Sequence, residues 1–387
     1  MSKDDSTGKI QWDRLIKKLS PYTVQKGLRY LKHYGLKEFW IRLHERFEPE
    51  EVPYGPWYEA YRPDEETLEK QRKRKFPDGP LISIVVPAYL TPERFLRQML
   101  DSLLAQTYEN WELCLTNGSP EDPDMQTVLR SYAEMDRRIR YQDLKENLGI
   151  AENTNAAFAM AEGDFIALLD HDDLLAPNAL YEIAAALEEH PEADLAFCGS
   201  RQVMLDGVGN RTGEEFDRAI SDEHLKMISE DWRDLYIGDY IGAPSATIYR
   251  KGAPEYEEKL TWIVDVEFYM RLLQRNPRFV VSKEPLVSIG VSENQLTESC
   301  RTDGKLNIFE YGFVMQEFSL LSEEKYRQKF IQIALKYKMP FASLAPYGIP
   351  KKEYEKAAAK KRREDFVFYV GVAKRKVRKA FGKKQFT

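Results

Sequence analysis

The hydrophobic positions of this chain change their spacing near Pro80 and again near Lys305. From Ile10 to about Phe47, Leu15, Leu19, Val24, Leu28, Leu31 and Leu36 recur at helical intervals with Lys17, Lys18, Lys26, Arg29 and Lys32 between them. That pattern predicts amphipathic helix, broken at Pro21 and Gly35. An aromatic turn, Pro53-Tyr54-Gly55-Pro56-Trp57-Tyr58, follows, and Pro63-Asp64-Glu65-Glu66 opens a charged helix. Pro77-Asp78-Gly79-Pro80 then interrupts the chain. Three regions result: a helical extension over 1–80, a central domain over 81–300, and a helical C-terminal region over 301–387.

In the central region strand and helix patterns alternate. Leu81–Pro87 is rich in β-branched residues and reads as a buried strand. Thr91-Pro92-Glu93 opens a helix with Phe95, Leu96, Met99, Leu100, Leu103 and Leu104 on its apolar face. Strands are predicted at Trp111–Thr116, Ile139–Gln142, Phe165–Leu169, Ala193–Cys198, Ala246–Tyr249 and Val287–Ile289. Helices are predicted at Asp124–Met135, Ala151–Ala161, Asn178–His190 and Val264–Gln274. Asp206-Gly207-Val208-Gly209-Asn210 has the composition of a hairpin turn. Crossover-length spacing predicts an α/β fold whose sheet is mainly parallel and covered on both faces.

Polar residues gather where these strands end. Asp170-His171-Asp172-Asp173 directly follows the apolar run Phe165–Leu169. Carboxylates this close repel unless a proton or cation intervenes, and such oxygen ligands suit Mg²⁺ or Mn²⁺. The competing interpretation is a solvated loop that caps the next helix. Pro87-Ala88-Tyr89, Thr116-Asn117-Gly118-Ser119 and Asn147-Leu148-Gly149 mark three more element ends, and ligands in open α/β sheets lie off the carboxyl ends of strands. No GxGxxG or GxxxxGK[ST] pattern is present, so dinucleotide and P-loop chemistry lack support.

Composition bounds the setting. The 387 residues are 43% hydrophobic, enough for a substantial core. The polar start Met1-Ser2-Lys3-Asp4-Asp5 does not read as a signal peptide, and no apolar run is long enough to span a bilayer. Cys114, Cys198 and Cys300 are widely separated, which points to a reducing cytoplasm. The formal charge of −6 is uneven: from Lys351 to Thr387 fourteen Lys/Arg face four Asp/Glu, a balance of +10, leaving −16 on the first 350 residues. The basic, aromatic-bearing segment 360–384 can lie on an anionic bilayer, which would place the protein at the inner face of the plasma membrane. A solvated terminal helix is the alternative. Nucleic acid is not an expected partner for a chain otherwise this acidic.

Taken together, Ser83-Ile84-Val85-Val86-Pro87-Ala88-Tyr89, Asn117-Gly118-Ser119, Glu146-Asn147-Leu148-Gly149-Ile150-Ala151 with Asn155, and Ala167-Leu168-Leu169-Asp170-His171-Asp172-Asp173 resemble a known pattern. It is that of the inverting, family 2 type of glycosyltransferase with a GT-A fold, found in bacterial cell-surface polysaccharide and O-antigen biosynthesis. The resemblance covers about Leu81 to Ile289. It implies a UDP- or dTDP-sugar donor and a glycan or polyprenyl-linked glycan acceptor. By the same resemblance Pro87, Ala88, Tyr89, Asn117, Ser119, Asn147, Gly149, Asn155, Asp170 and His171 form the donor site. Asp172, with Asp170, would ligate Mn²⁺ or Mg²⁺. Asn117 departs from the Asp that relatives often carry near the base.

The family also keeps an acidic pair at the start of a helix beneath the acceptor, matched here by Val264-Asp265-Val266-Glu267-Phe268-Tyr269-Met270-Arg271. Asp265 is the expected catalytic base and Glu267 its fallback, with Arg271 a structural partner of these acids. Asp265 as a plain helix cap is the alternative. Val264 stands where an acid is usual. A metal-binding His expected after the last strand is replaced by Ser292 and Glu293, since His33, His44, His171, His190 and His224 all precede Asp265. Trp57, Trp232, Tyr236, Tyr240 and Trp262 are candidates for an aromatic acceptor platform. Two other functions fit the motifs less well. A nucleotidyltransferase should carry a glycine- and basic-rich loop where Tyr89-Leu90-Thr91-Pro92 stands, and a non-catalytic glycan-binding or scaffold member would account for Val264 and the missing His.

Overall fold

The computed structural model describes residues 63–205, 211–218, 220–291 and 300–363. The predicted helix over 10–47, the turn containing Trp57, the hairpin turn at 206–210, Ser292 and Glu293, and the basic tail beyond 363 lie outside these residues. The described residues divide into two units, 63–302 and 303–363. No helix among them is long and apolar enough to cross a membrane.

Helix α1 (Glu65–Lys73) begins where the Asp64 carboxylate accepts the Thr67 N–H at 2.8 Å, as an N-cap should. Glu65 and Glu66 occupy its first turn and Lys70, Arg72 and Lys73 its last, complementing the helix dipole. Strand β1 (Ile82–Ala88) leads into α2 (Glu93–Leu104), whose Leu96, Met99, Leu100 and Leu103 recur at helical spacing and are fully buried. Then come β2 (Trp111–Asn117), α3 (Pro123–Met135), β3 (Ile139–Asp143), α4 (Ile150–Phe158) and β4 (Phe165–Leu168). After the acidic turn lie the short β5 (Leu174–Leu175), α5 (Ala179–Glu189), β6 (Leu195–Leu205) and β7 (Arg211–Arg218). The unit continues through α6 (Asp222–Glu230), β8 (Thr247–Arg250), α7 (Val264–Arg275) and β9 (Phe279–Val291).

The strands form one sheet in the order β3-β2-β1-β4-β8-β6-β9-β5, with β7 pairing β6. From β3 to β4 every pairing is parallel, as expected. The other half is mixed: β8 is antiparallel to both β4 and β6, β6 and β9 are parallel, and β5 runs against β9. Direction follows from these registers. The ends of β1, β2, β3 and β4, the start of β8 and the continuation of β6 all lie at one edge. Ser200 pairs with Arg218, so the end of β7 reaches that edge too. Helix α7 precedes β9, whose first residue Phe279 pairs with Leu195 at the opposite edge. Its N-terminus therefore starts on the polar side.

The unit over 303–363 is helical. Asp303 caps α8 (Gly304–Glu317) by accepting from Lys305 N at 2.8 Å and Leu306 N at 3.1 Å. α9 (Glu324–Lys336) is tied to the helix over 351–363 by the Arg327–Glu353 pair at 3.0 Å.

Candidate functional site

The edge beside β1 and β2 is built from main chain held by buried amides. Ala88 pairs with Asn117 across β1 and β2, and Gly118 N donates to Ala88 O at 2.8 Å. Ser119 Oγ accepts from Leu90 N at 2.8 Å. Asn117 Nδ2 donates to Asp143 Oδ1 at 2.8 Å while its Oδ1 accepts from Ser119 N at 2.9 Å. Ala88, Asn117 and Ser119 are all fully buried. At these three positions the side chains lie beneath the edge. Tyr89, Asn147 and Gly149 are exposed there, and Pro87 is partly buried. Leu90 has φ +46°, a left-handed conformation that a branched side chain adopts only when its surroundings hold it.

The loop before α4 has its own frame. Asn153 accepts from Leu148 N at 3.0 Å and donates to Asn147 Oδ1 at 2.7 Å, and Asn147 Oδ1 also accepts from Gly149 N at 3.1 Å. Gly149 takes φ +100°, which favours glycine. Asn155 uses both ends of its amide on Tyr256, donating to its carbonyl at 3.0 Å and accepting from its N–H at 2.8 Å. It clamps α4 to the segment before α7.

The acidic turn lies beyond β4. Asp170 N donates to Ser245 Oγ at 3.0 Å, and Asp173 N to Asp170 O at 3.0 Å. Asp173 is buried; its Oδ1 accepts from Gly290 N at 3.0 Å, and its Oδ2 has no hydrogen-bond partner among the described residues. Asp170 and Asp172 are only partly buried. Burial first, then the Asp172 charge, pushes the Asp170 carboxyl up to about 7, against a lowering contribution from the Ser245 hydroxyl. Burial, with Asp170 and Asp172 close by, pushes Asp173 well above the usual carboxylate range. Burial lowers the His171 imidazole, whose Nδ1 is buried without a hydrogen-bond partner among the described residues. Among the described residues no group of three or more His, Cys, Asp or Glu is arranged to hold a metal ion. The donor set still fits one class of ion. Mg²⁺ and Mn²⁺ are commonly held by one or two carboxylates with substrate phosphates, and Asp170 is a carboxyl whose charge a cation would stabilise.

Asp265 lies in the first turn of α7, where its Oδ1 accepts from Val266 N at 2.8 Å. Burial, then the Asp239 charge, pushes it up to about 7, while Arg218 opposes that shift. Asp239 is gripped by Arg218, whose Nη2 lies 2.8 Å from its Oδ2 and 2.7 Å from its carbonyl. Glu267, the expected fallback base, is corrected. It is fully buried, and both its oxygens are bound by the Arg271 guanidinium, which also donates to Glu255 O at 2.7 Å. Tyr236 is likewise fully buried and leaves the aromatic platform. Tyr240 stacks on His224 with ring centroids 4.4 Å apart, and Trp232 and Trp262 are partly buried.

One segment joins the two acidic centres. Asp239 acts electrostatically on Asp265, Gly242 O accepts from Tyr269 of α7 at 3.3 Å, and Ser245 holds the Asp170 main chain. Sequence reading missed Arg218, Asp239, Ser245 and Asn153. The only local signal was the Asp239-x-x-Gly242 turn, in which Asp239 Oδ1 accepts from Gly242 N at 2.8 Å, and that signal announces a turn rather than a site.

A sheet edge carrying paired carboxylates beside a helix-borne acid defines a class, and the comparisons agree with it. Residues 83–255 match the model described as Glycosyl transferase family 2, and the fold is of the GT-A type. The uncharacterized protein y4gI of Sinorhizobium fredii is 35% identical over 208 residues, covering 52% of this chain and 21% of the relative. The O-antigen biosynthesis protein RfbC of Myxococcus xanthus is 33% identical over 180 residues, covering 46% and 14%. The match thus spans a minor part of both relatives. Among solved structures, Staphylococcus aureus TarS 1–349 in complex with UDP-GlcNAc shares the fold, with TM-score 0.50 and 19% identity over 73% of this chain and 81% of that one.

Proposed function

We propose that the protein is an inverting glycosyltransferase that moves a sugar from a UDP- or dTDP-linked donor to a hydroxyl of a glycan or polyprenyl-linked glycan. The observation that carries this reading is the pairing of two acidic centres through the 239–245 segment: partly buried Asp170 and Asp172 off β4, and Asp265 off α7. Asp265, raised to about 7, is matched to taking a proton near neutral pH. In the reaction the acceptor oxygen bonds to the anomeric carbon as the bond to the diphosphate oxygen breaks. The hydroxyl proton passes to Asp265. Asp172 and Asp170 would hold Mn²⁺ or Mg²⁺, whose charge offsets that of the departing diphosphate. Tyr89, Asn147 and Gly149 frame the donor from the exposed rim. The name of the Myxococcus relative and the basic charge after Lys351 support a role in cell-surface polysaccharide assembly at the inner membrane face.

Asp265→Asn should lower transfer by about 10²–10⁴-fold, the range for losing a general base, with circular dichroism unchanged. Asp172→Ala should remove both transfer and its dependence on Mn²⁺. Near-normal turnover in both variants, measured with a panel of UDP- and dTDP-sugars, would reject the assignment.

A further inference from the structure

A charged pair on the wall of the site has no part in the proposed chemistry, yet it is held at the carboxylate read as the base. Arg218 closes β7, and its guanidinium is bound twice by Asp239, at the carboxylate (2.8 Å) and at the main-chain carbonyl (2.7 Å). Asp239 is fixed in turn by Gly242 N, at 2.8 Å from its second oxygen. Gly242 has φ +118°, so the loop depends on glycine to make this turn. The loop is seated on α7 by Tyr269, whose hydroxyl donates to Gly242 O at 3.3 Å. Tyr269 is four residues after Asp265, on the same helical face. Side chains on a helix lean toward its N-terminus, so the Tyr269 hydroxyl reaches toward the Asp265 turn and brings the Arg218–Asp239 pair with it.

We propose that Arg218 and Asp239 are positioning residues for the Asp265 carboxylate, a pair of opposed fixed charges that sets its readiness to take the acceptor's proton. This rests on reading Asp265 as the base. Among the described residues, the groups facing Asp265 are Arg218 from the end of β7, Asp239 from the loop, Tyr269 from its own helix and Tyr256 from the segment before it. Burial keeps both phenols protonated well beyond the ordinary tyrosine range, so they add no charge near neutrality. Two groups remain with opposite signs. Asp239 favours the protonated Asp265 and Arg218 favours the ionised one. A purely structural ion pair would, when broken, disturb its surroundings without regard to which partner was removed.

The test is a titration of full-length protein labelled with ¹³C at aspartate Cγ. The Asp265 signal is identified by its loss in Asp265→Asn, and no substrate is needed. Asp239→Asn should lower the Asp265 midpoint and Arg218→Gln should raise it, each by roughly 0.5–1 pH unit for a unit charge at this range. The double variant should return close to the starting value. The acid limb of the transfer rate should move in the same directions. Arg218→Gln leaves Asp239 without its partner; if it does not fold, the isosteric Asp239→Asn and the double variant carry the test. Midpoints that stay put, or move the same way in both single variants, overturn the role of the pair while Asp265→Asn remains inactive. Transfer retained by Asp265→Asn overturns the base reading, and the catalytic role of the pair with it.

Discussion

Two acids near the start of α7 have opposite fates because of a two-residue spacing. Residues two apart on a helix point roughly 200° from each other, so Asp265 and Glu267 cannot face the same cleft. Asp265 turns to the site wall and Glu267 turns into the protein, where Arg271 binds both its oxygens. The Glu267–Arg271 spacing of four was a legible sign of an intrahelical ion pair, and it outweighs the idea of a second base. Asp239 and Arg218 had no such sign. They are remote from Asp265 in sequence and meet it only through β7 pairing and the turn at Gly242. The buried pair should matter to stability. Arg271→Ala leaves a fully buried carboxylate without its cation, and should cost about 3–5 kcal/mol in urea unfolding. A loss below about 1 kcal/mol would show that other groups satisfy Glu267.

At the level of elements, local pattern located most strands and helices within a few residues. α2 and β2 match because alternation and helical spacing are properties of neighbouring residues. The order of strands is not such a property. The antiparallel β8 between β4 and β6 makes half the sheet mixed, and nothing in Thr247–Arg250 distinguishes an antiparallel strand from a parallel one. β6 extends to Leu205, beyond the predicted Cys198, because β9 and β7 supply partners along its outer half. The start of α4 depends on a single backbone angle. A Cβ at Gly149 would meet no atom within 4 Å, so Gly149→Ala costs only the backbone strain of φ +100° with ψ 177°, a region essentially restricted to glycine, about 1–3 kcal/mol. Chemical denaturation should show that modest loss with donor affinity weakened as the Asn147 loop shifts. An unchanged stability would mean the loop readily adopts another conformation.

On the scale of the whole molecule, charge is divided along the chain: −16 over the first 350 residues against +10 in the last 37. An acidic body would repel an anionic bilayer while the basic segment is drawn to it, with each Lys or Arg near the surface contributing about 1 kcal/mol. The protein should co-sediment with vesicles containing anionic lipid at low salt and be released at high salt, and removal of 360–387 should abolish binding. Equal sedimentation with neutral vesicles would rule out this electrostatic contact.

The proposed reaction requires negatively charged oxygens past β4 to gather a diphosphate through a divalent ion. Calorimetric titration of UDP and dTDP, with and without Mn²⁺, on the intact chain and on Asp172→Ala, measures that directly. At least one nucleotide should bind tenfold or more tighter with Mn²⁺, and the gain should vanish in Asp172→Ala. Binding that is indifferent to the ion, or equally strong in the variant, would contradict the account.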